Sequence, residues 1–249
     1  MTDRSQAESR APGDGPELSV VIPCYNEEAI LRASVEELRE GLMALDRSFE
    51  IVISENGSRD ATREIARELE GEYEQVRALF SDEPNYGKAL RRGIESARGV
   101  YVLCEEIDLC DLDFHRRALA LLDADEADFV VGSKAHPEAN DQRPLIRRTA
   151  THVISGLLRV MLGFKGTDTH GLKAFRRSAV MDTVSRCVVD KDLFASELVI
   201  RSQRYRLRVV EIPIQIAEKR PPSIHLFKRV PGVLKNLARL VYVIRISNR

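Results

Sequence analysis

Tyr101–Asp111 reads YVLCEEIDLCD. An apolar run, Tyr101-Val102-Leu103-Cys104, stops at Glu105, Glu106, Asp108 and Asp111. A strand apolar along its whole length is covered on both faces. Ending it in carboxylates brings fixed negative charge to the rim of its sheet. Carboxylates gathered in this way suit a hard divalent cation, which in turn bridges phosphate oxygens. The same residues also suit a solvated acidic loop, and Asp108 suits the start of a helix over Phe114–Leu122.

Working outward, four more short apolar runs share the pattern: Leu18–Pro23, Phe49–Ser54, Val76–Ser81 and Asp128–Gly132, with the fourth in chain order at Val100–Cys104. Their starts lie about 24 to 31 residues apart, the length of one strand–helix–strand unit. Helical stripes fill the gaps. Leu31, Val35, Leu38, Leu42 and Leu45 follow a 4-3-4-3 spacing. Asp60 and Thr62 open a second helix, and Ala89, Leu90, Ile94 and Ala97 form a third, ended by Gly99. Apolar strands alternating with helices predict an α/β fold with a mostly parallel, Rossmann-like sheet flanked by helices. Ligands bind such sheets beyond the carboxyl ends of the strands. Three polar loops converge there: Pro23–Glu27, Glu55–Asp60 and the acidic stretch.

After Gly132 the rhythm changes. Residues 134–144 are polar, and a long helix is predicted over Leu145–Leu162, apolar at Val153, Ile154, Leu157, Leu158 and Met161. GTDTHGLKAFRR (Gly166–Arg177) follows, then a helix near Asp192–Arg204 and a strand over Leu207–Pro213.

The 249 residues are 43% hydrophobic and 31% charged, with a net charge of −1. That allows a sizeable core in a single domain. Residues 201–249 hold 12 Lys and Arg against 2 Asp and Glu, whereas the first 200 hold 26 against 37. A basic tail on an acidic body is expected where one end meets an anionic partner. Cys24, Cys104, Cys110 and Cys187 lack zinc spacing, and Cys24 and Cys104, at the ends of apolar runs, read as buried thiols. Residues 1–17 read as a disordered lead. No window reaches 18 uninterrupted apolar residues, so no span of a membrane is expected. The five His carry no ligand spacing, and there is no glycine-rich dinucleotide or P-loop motif.

SVVIPCYNEE (Ser19–Glu28), ISENGSRDAT (Ile53–Thr62), NYGKALRRGI (Asn85–Ile94) and EIDL (Glu106–Leu109) resemble, in order, motifs of the family 2 glycosyltransferases with the GT-A fold. GSK (Gly132–Lys134), the Arg-rich segment before the long helix, TDTHGLKAFRR and Ser196–Ile214 resemble the branch that contains dolichyl-phosphate mannose synthase and the polyprenyl-phosphate glycosyltransferases. The chain departs from the pattern at Glu106, usually Asp, at Glu55-Asn56, usually two Asp, and at Cys110, where the branch often carries a polar residue.

The resemblance implies a GT-A domain over 18–216 that transfers a hexose, with inversion, from a GDP- or UDP-linked sugar to a polyprenyl (dolichyl-type) phosphate. Glu106 and Asp108 would hold Mg²⁺ or Mn²⁺, with Ile107 between them. Pro23, Tyr25 and Glu27 would meet the nucleoside, and Glu55 and Asn56 the base. Lys88 suits phosphate, sugar or solvent. On the acceptor side stand Lys134, Arg143, Arg147, Arg148, His170, Lys173 and Arg176, because guanidinium forks and ammonium groups hold phosphate oxygens. Arg147 and Arg148 equally suit a solvated helix start. Asp168 either positions the acceptor or turns the chain.

Residues 217–249 form a basic, amphipathic segment. From Pro231, Val233, Leu234, Leu237, Leu240, Val241 and Ile244 follow a helical stripe flanked by Lys235, Arg239 and Arg245. That face suits a membrane interface, the protein's own body or a second subunit. The protein is then expected to be cytoplasmic and peripheral on the inner face of the cell membrane. Nucleic acid is not an expected partner, since stacking aromatics are not interleaved with the charge. Two rival readings change the acceptor to a sugar of a surface polysaccharide or glycolipid, or reduce the chain to a nucleotide-binding module without transfer.

Overall fold

The computed structural model describes residues 15–191, 193–215 and 226–247; of the side chains of Arg147, 226–231, 233 and 246–247 nothing is stated. Most of the lead and the Pro-Pro break before the tail lie outside the described residues.

Seven strands form one sheet in the order β3-β2-β1-β4-β6-β5-β7. They are β1 (Leu18–Cys24), β2 (Phe49–Glu55), β3 (Val76–Leu79), β4 (Tyr101–Cys104), β5 (Phe129–Ser133), β6 (Lys173–Arg176) and β7 (Val209–Pro213). β1 pairs in parallel with β2 and β4, and β2 with β3; β5 pairs in parallel with β7. β6 runs antiparallel between β4 and β5. The sheet is therefore mostly parallel, as expected, with β6 as a strand the sequence reading left inside a loop. Its four residues, Lys-Ala-Phe-Arg, are too few for a visible alternation.

Helices cover both faces: α1 (Leu31–Met43), α2 (Thr62–Glu72), α3 (Tyr86–Ser96), α4 (Leu112–Asp123), α5 (Leu145–Leu162), α6 (Arg177–Arg186), α7 (Phe194–Arg204) and α8 (Leu226–Tyr242), the last running into a π-helical turn, Val243–Ser247. The strands alternate strictly between two cores, as side chains of period two must. Val20, Ile22, Ile51, Ile53 and Leu103 pack with Leu31, Val35, Leu38, Leu42 and Phe114 on one face. Val21, Val52 and Val102 pack with Leu90, Ile94, Leu158, Leu198 and Leu240 on the other. All four cysteines are buried, and none forms a disulfide.

Two helices differ from expectation. α8 begins at Leu226 rather than Pro231, and Leu237, Leu240 and Ile244 of its stripe are buried in the second core. On α5, Val153 and Leu157 of the predicted stripe face out, along with Leu145, Ile146 and Val160.

At the rim where β1 and β2 begin, buried Glu50 accepts from Ser19 Oγ (2.6 Å), the Arg98 N–H (2.8 Å) and Nε (3.0 Å), and Arg77 Nε (2.8 Å). Burial pushes its carboxyl up, but the Ser19 hydroxyl, Arg98 and Arg77 outweigh that and hold it below the ordinary range. A carboxyl lowered by folding stabilises above its unfolded pKa and ceases to do so as pH falls through its folded value. Glu50→Gln is therefore expected to lower stability by about 2–3 kcal/mol at neutral pH, the range for hydrogen bonds to a charged group. In denaturant titrations the gap to the parent should shrink as pH falls below about 4; a gap constant with pH would contradict this origin.

Candidate active site

The other rim gathers the ends of β1, β2, β4, β5 and β7 and the start of β6. After β1 the chain turns at Asn26, whose φ of 56° is left-handed. The loops after β1 and β2 then lock reciprocally. The Asn26 N–H donates to Ser58 Oγ and Asn26 Oδ1 accepts from the Arg59 N–H. The Glu28 N–H donates to Asp60, while Glu28 accepts from the Ala61 N–H. Pro23 lies within β1 rather than ending it, Tyr25 is half-buried, and Glu27 is buried with its N–H donated to Thr62 Oγ1 (2.7 Å).

Glu55 is buried and its oxygens are committed locally, to the Ser58 N–H (2.5 Å) and Arg63 Nε (3.2 Å). Asn56 accepts from the Asn85 N–H (2.6 Å), and Asn85 caps α3 through the Lys88 N–H (3.2 Å). Arg92 donates to the carbonyls of Glu55, Leu79 and Phe80, which ties β2, β3 and α3 together. These side chains shape a preformed wall; Glu55 and Asn56, both buried, support the loop. Lys88 is half-exposed and paired with Glu83 at 2.7 Å.

The acidic stretch after β4 divides into three roles. Glu105 turns inward, fully buried, with Oε2 2.7 Å from His115 Nε2; burial pushes its carboxyl up against the pull of His115. Asp111 caps α4, accepting from the Phe114 N–H at 2.9 Å. Ile107 is buried in the first core. Glu106 and Asp108 remain half-exposed on the rim. The helix-start role that the sequence left open for Asp108 thus belongs to Asp111.

Facing them is a buried ionic group. Lys134 Nζ lies 3.5 Å from Glu106 Oε1, and its N–H donates to Asp168 Oδ2 at 3.4 Å. Asp168 is buried and also accepts from the His170 N–H (2.8 Å). Burial pushes its carboxyl up, but Lys134, His170 and Lys173 hold it below the ordinary range. Lys173, at the start of β6, is buried and donates to the Gly171 carbonyl (2.6 Å). Burial pulls its ammonium down, opposed by Cys104, Asp168 and Glu106. Gly171 is obligatory, because a Cβ there would collide with the Gly132 carbonyl oxygen. Thr167, donating to Glu211 of β7 through its N–H (2.9 Å) and hydroxyl (2.6 Å), holds the loop from the other side.

Other residues expected at the site go elsewhere. β6 is antiparallel, so Arg176 emerges at the opposite rim, over the Tyr101 ring and donating to the Leu122 carbonyl. The antiparallel course of β6 carries it away from the residues expected to meet the acceptor. Arg143 is buried and paired in bidentate fashion with Asp141 (2.8 and 2.7 Å). Arg148 is exposed on the first turns of α5, and the Arg147 side chain lies outside the described residues. Tyr86 was not foreseen. The residue is partly exposed, yet desolvation, followed by the charges of Glu106, Cys104 and Asp108, pushes its phenol well above the ordinary range. Its signal in the sequence was only its place beside Asn85.

Among the described residues no group of three or more His, Cys, Asp or Glu could hold a metal ion unaided. Two rim carboxylates fit Mg²⁺ or Mn²⁺ nonetheless, since Mg²⁺ keeps several waters and binds through one or two carboxylates plus substrate phosphates.

Residues 19–184 match Glycosyl transferase family 2. Glycosyltransferase AglD of Haloferax volcanii is 31% identical over 256 aligned positions, covering 100% of this chain and 40% of its own length. Low-salt glycan biosynthesis hexosyltransferase Agl6 of the same organism is 29% identical, over 80% of this chain and 47% of its own. The chain thus spans less than half of either relative. The dolichyl-phosphate beta-glucosyltransferase of Saccharomyces cerevisiae is 29% identical over 79% of this chain and 66% of its own. Glucosyl-3-phosphoglycerate synthase from Mycobacterium tuberculosis, solved with Mn²⁺, UDP-glucose and phosphoglyceric acid, shares the fold: TM-score 0.66 at 19% identity, over 91% of this chain and 80% of that one. With more than half of its residues inside the family match and a GT-A sheet beneath them, the chain belongs to glycosyl transferase family 2.

Proposed function

We propose that the protein transfers a hexose from a nucleoside-diphosphate sugar to a polyprenyl (dolichyl-type) phosphate, with inversion at the anomeric carbon. The observation that carries this reading is the meeting of opposite charges on one rim: the half-exposed carboxylates of Glu106 and Asp108 against the buried ammonium groups of Lys134 and Lys173. The names of the yeast and other dolichyl-phosphate beta-glucosyltransferases support the acceptor class, and UDP-glucose is the first donor to test.

Glu106 and Asp108 would hold Mg²⁺ or Mn²⁺, which supplies Lewis-acid neutralisation of the leaving diphosphate. Tyr25 and Glu27 line the nucleoside side. Lys134 and Lys173 attract the acceptor phosphate, and Asp168 fixes Lys134 through its backbone N–H. A phosphate monoester is already an anion near neutral pH, its second pKa being about 6, so no general base is needed. Its oxygen forms the new bond to the anomeric carbon as the bond to the diphosphate oxygen breaks, and the electron pair leaves with the diphosphate. No proton moves.

No helix among the described residues is long and apolar enough to cross a membrane. A lipid acceptor is reached from the surface instead. α5 exposes Val153, Leu157 and Val160 (82% exposed), and α8 exposes Leu234 and Tyr242. Arg245 donates to the Met161 carbonyl, so the turn after α8 lies against the end of α5. Arg148, Lys235 and Arg239 are exposed beside these apolar chains, and each basic residue near anionic lipid adds about 1 kcal/mol.

Asp108→Ala is expected to lower transfer of labelled glucose into the lipid phase by about 10² or more, with melting little changed; EDTA should abolish transfer and Mn²⁺ or Mg²⁺ restore it. Parental turnover in Asp108→Ala would remove the carboxylate from the mechanism, and no labelled lipid from any donor would remove the acceptor. Lys134→Met should raise the KM for polyprenyl phosphate about 10- to 100-fold, the loss of one or two charged hydrogen bonds, against a much smaller change for the donor. Val153→Glu/Val160→Glu should release the protein from anionic vesicles in sedimentation without lowering its melting temperature; unchanged sedimentation would exclude α5 from the membrane contact.

A further inference from the structure

The Glu105–His115 contact has no part in the chemistry above, yet Glu105 directly precedes Glu106 and accepts from its N–H. Both side chains have no exposed surface. Nε2 of His115 stands 2.7 Å from Oε2 of Glu105 without the alignment of a well-directed hydrogen bond, and neither imidazole nitrogen has another partner among the described residues. The other Glu105 oxygen accepts from the Glu106 N–H at 3.2 Å, and the Glu105 N–H donates to the Val21 carbonyl at 2.9 Å. Glu105 is thus fixed to β1 on one side and to the backbone of Glu106 on the other.

His115 sits in the opening turns of α4, just past its Asp111 cap. The contact therefore joins the end of β4 to the start of α4 across the loop 106–111. The loop has other ties, to itself, to α1 and to Lys134. The Leu109 N–H donates to the Glu106 carbonyl, Cys110 takes a left-handed φ of 48°, and its thiol meets the carbonyls of Ile107 and Ser34. Two apolar side chains would fill the same space with no desolvation cost, and replacing a buried ionic pair in that way is often neutral or stabilising. Stability alone gives no reason for a carboxylate and an imidazole at this point; geometry does.

We propose that Glu105 and His115 are a positioning pair that sets the spacing and aim of Glu106 and Asp108 toward a divalent cation carried by a nucleoside diphosphate. The inference rests on the reading of Glu106 and Asp108 as the cation-holding residues. Groups that orient ligands from behind typically change metal affinity 10- to 100-fold when removed.

The test uses the full chain. Mn²⁺ is titrated in the presence of UDP, and in parallel GDP, with free Mn²⁺ followed by its paramagnetic resonance signal, and melting is recorded for each variant. Glu105→Leu/His115→Leu should melt near or above the parent while Mn²⁺ affinity falls about 10- to 100-fold. His115→Gln, whose side-chain amide reaches toward the same oxygen, should bind close to the parent, and His115→Leu should not. A double variant that binds Mn²⁺ as tightly as the parent overturns the proposal. So does equal affinity in His115→Gln and His115→Leu, which decides the matter even if the double variant does not fold. Asp108→Ala and Glu106→Ala separate the two levels. Affinity lost in these but kept in the double variant overturns the positioning pair alone. Affinity kept in these, or a parent that takes up Mn²⁺ with neither nucleotide, overturns the underlying reading as well.

Discussion

A strand covered by helices on both faces has nowhere to place a charge until it leaves the sheet. That constraint organises the molecule. β1 is buried at all seven positions, and β4 at all four. Polar groups are therefore driven to the two rims, and the rims differ in how their charge is settled. Around Glu50 the carboxylate is met by a hydroxyl, a backbone N–H and two guanidinium groups, so that every oxygen is committed. Such an arrangement stabilises and does little else. Across the sheet, Glu106 and Asp108 are left half-exposed, while Lys134 and Lys173 are drawn inward. Groups held apart by the fold, rather than neutralised by it, are the ones a substrate can complete.

The antiparallel strand β6 makes this rim possible. A parallel strand between β4 and β5 would bring its carboxyl end to the site. Running the other way, β6 presents its first residue, Lys173, and the loop before it, which carries Asp168 and Gly171. The close approach of Gly171 to the Gly132 carbonyl brings that loop against the end of β5, where Lys134 begins the next segment. The ammonium groups of Lys134 and Lys173 and the carboxylates of Glu106 and Asp108 then share one edge because one strand is reversed.

This explains what the sequence could and could not disclose. The parallel half was legible: five apolar runs at near-regular intervals, with helical stripes between them, forecast β1 to β5 within a few residues. The carboxylates after β4 were legible as a group but not as individuals, since only the fold decides that Glu105 points inward, Asp111 caps α4 and two remain on the rim. β6 was hidden because four residues carry no periodicity, and Arg176 was misplaced with it. Arg143 looked available for phosphate, but Asp141, two residues before it, takes both arms of its fork. Nothing in a linear sequence distinguishes a guanidinium offered to a ligand from one already paired.

The substitution of Glu106 for the usual Asp acquires a meaning from these distances. The two rim carboxylates are not equivalent. Glu106 is one methylene longer and reaches toward Lys134, 3.5 Å away, whereas Asp108 makes no ion pair within 4.0 Å among the described residues. At 3.5 Å, between buried Lys134 and half-exposed Glu106, the contact is long and leaves the carboxylate open to a stronger partner. Were Glu106 drawn to a cation instead, the Lys134 ammonium would be left free to meet an incoming phosphate. On the proposed reading the two sides would then be coupled without any movement of the backbone, one ammonium being counter-ion to Glu106 before the donor arrives and to the acceptor phosphate after it.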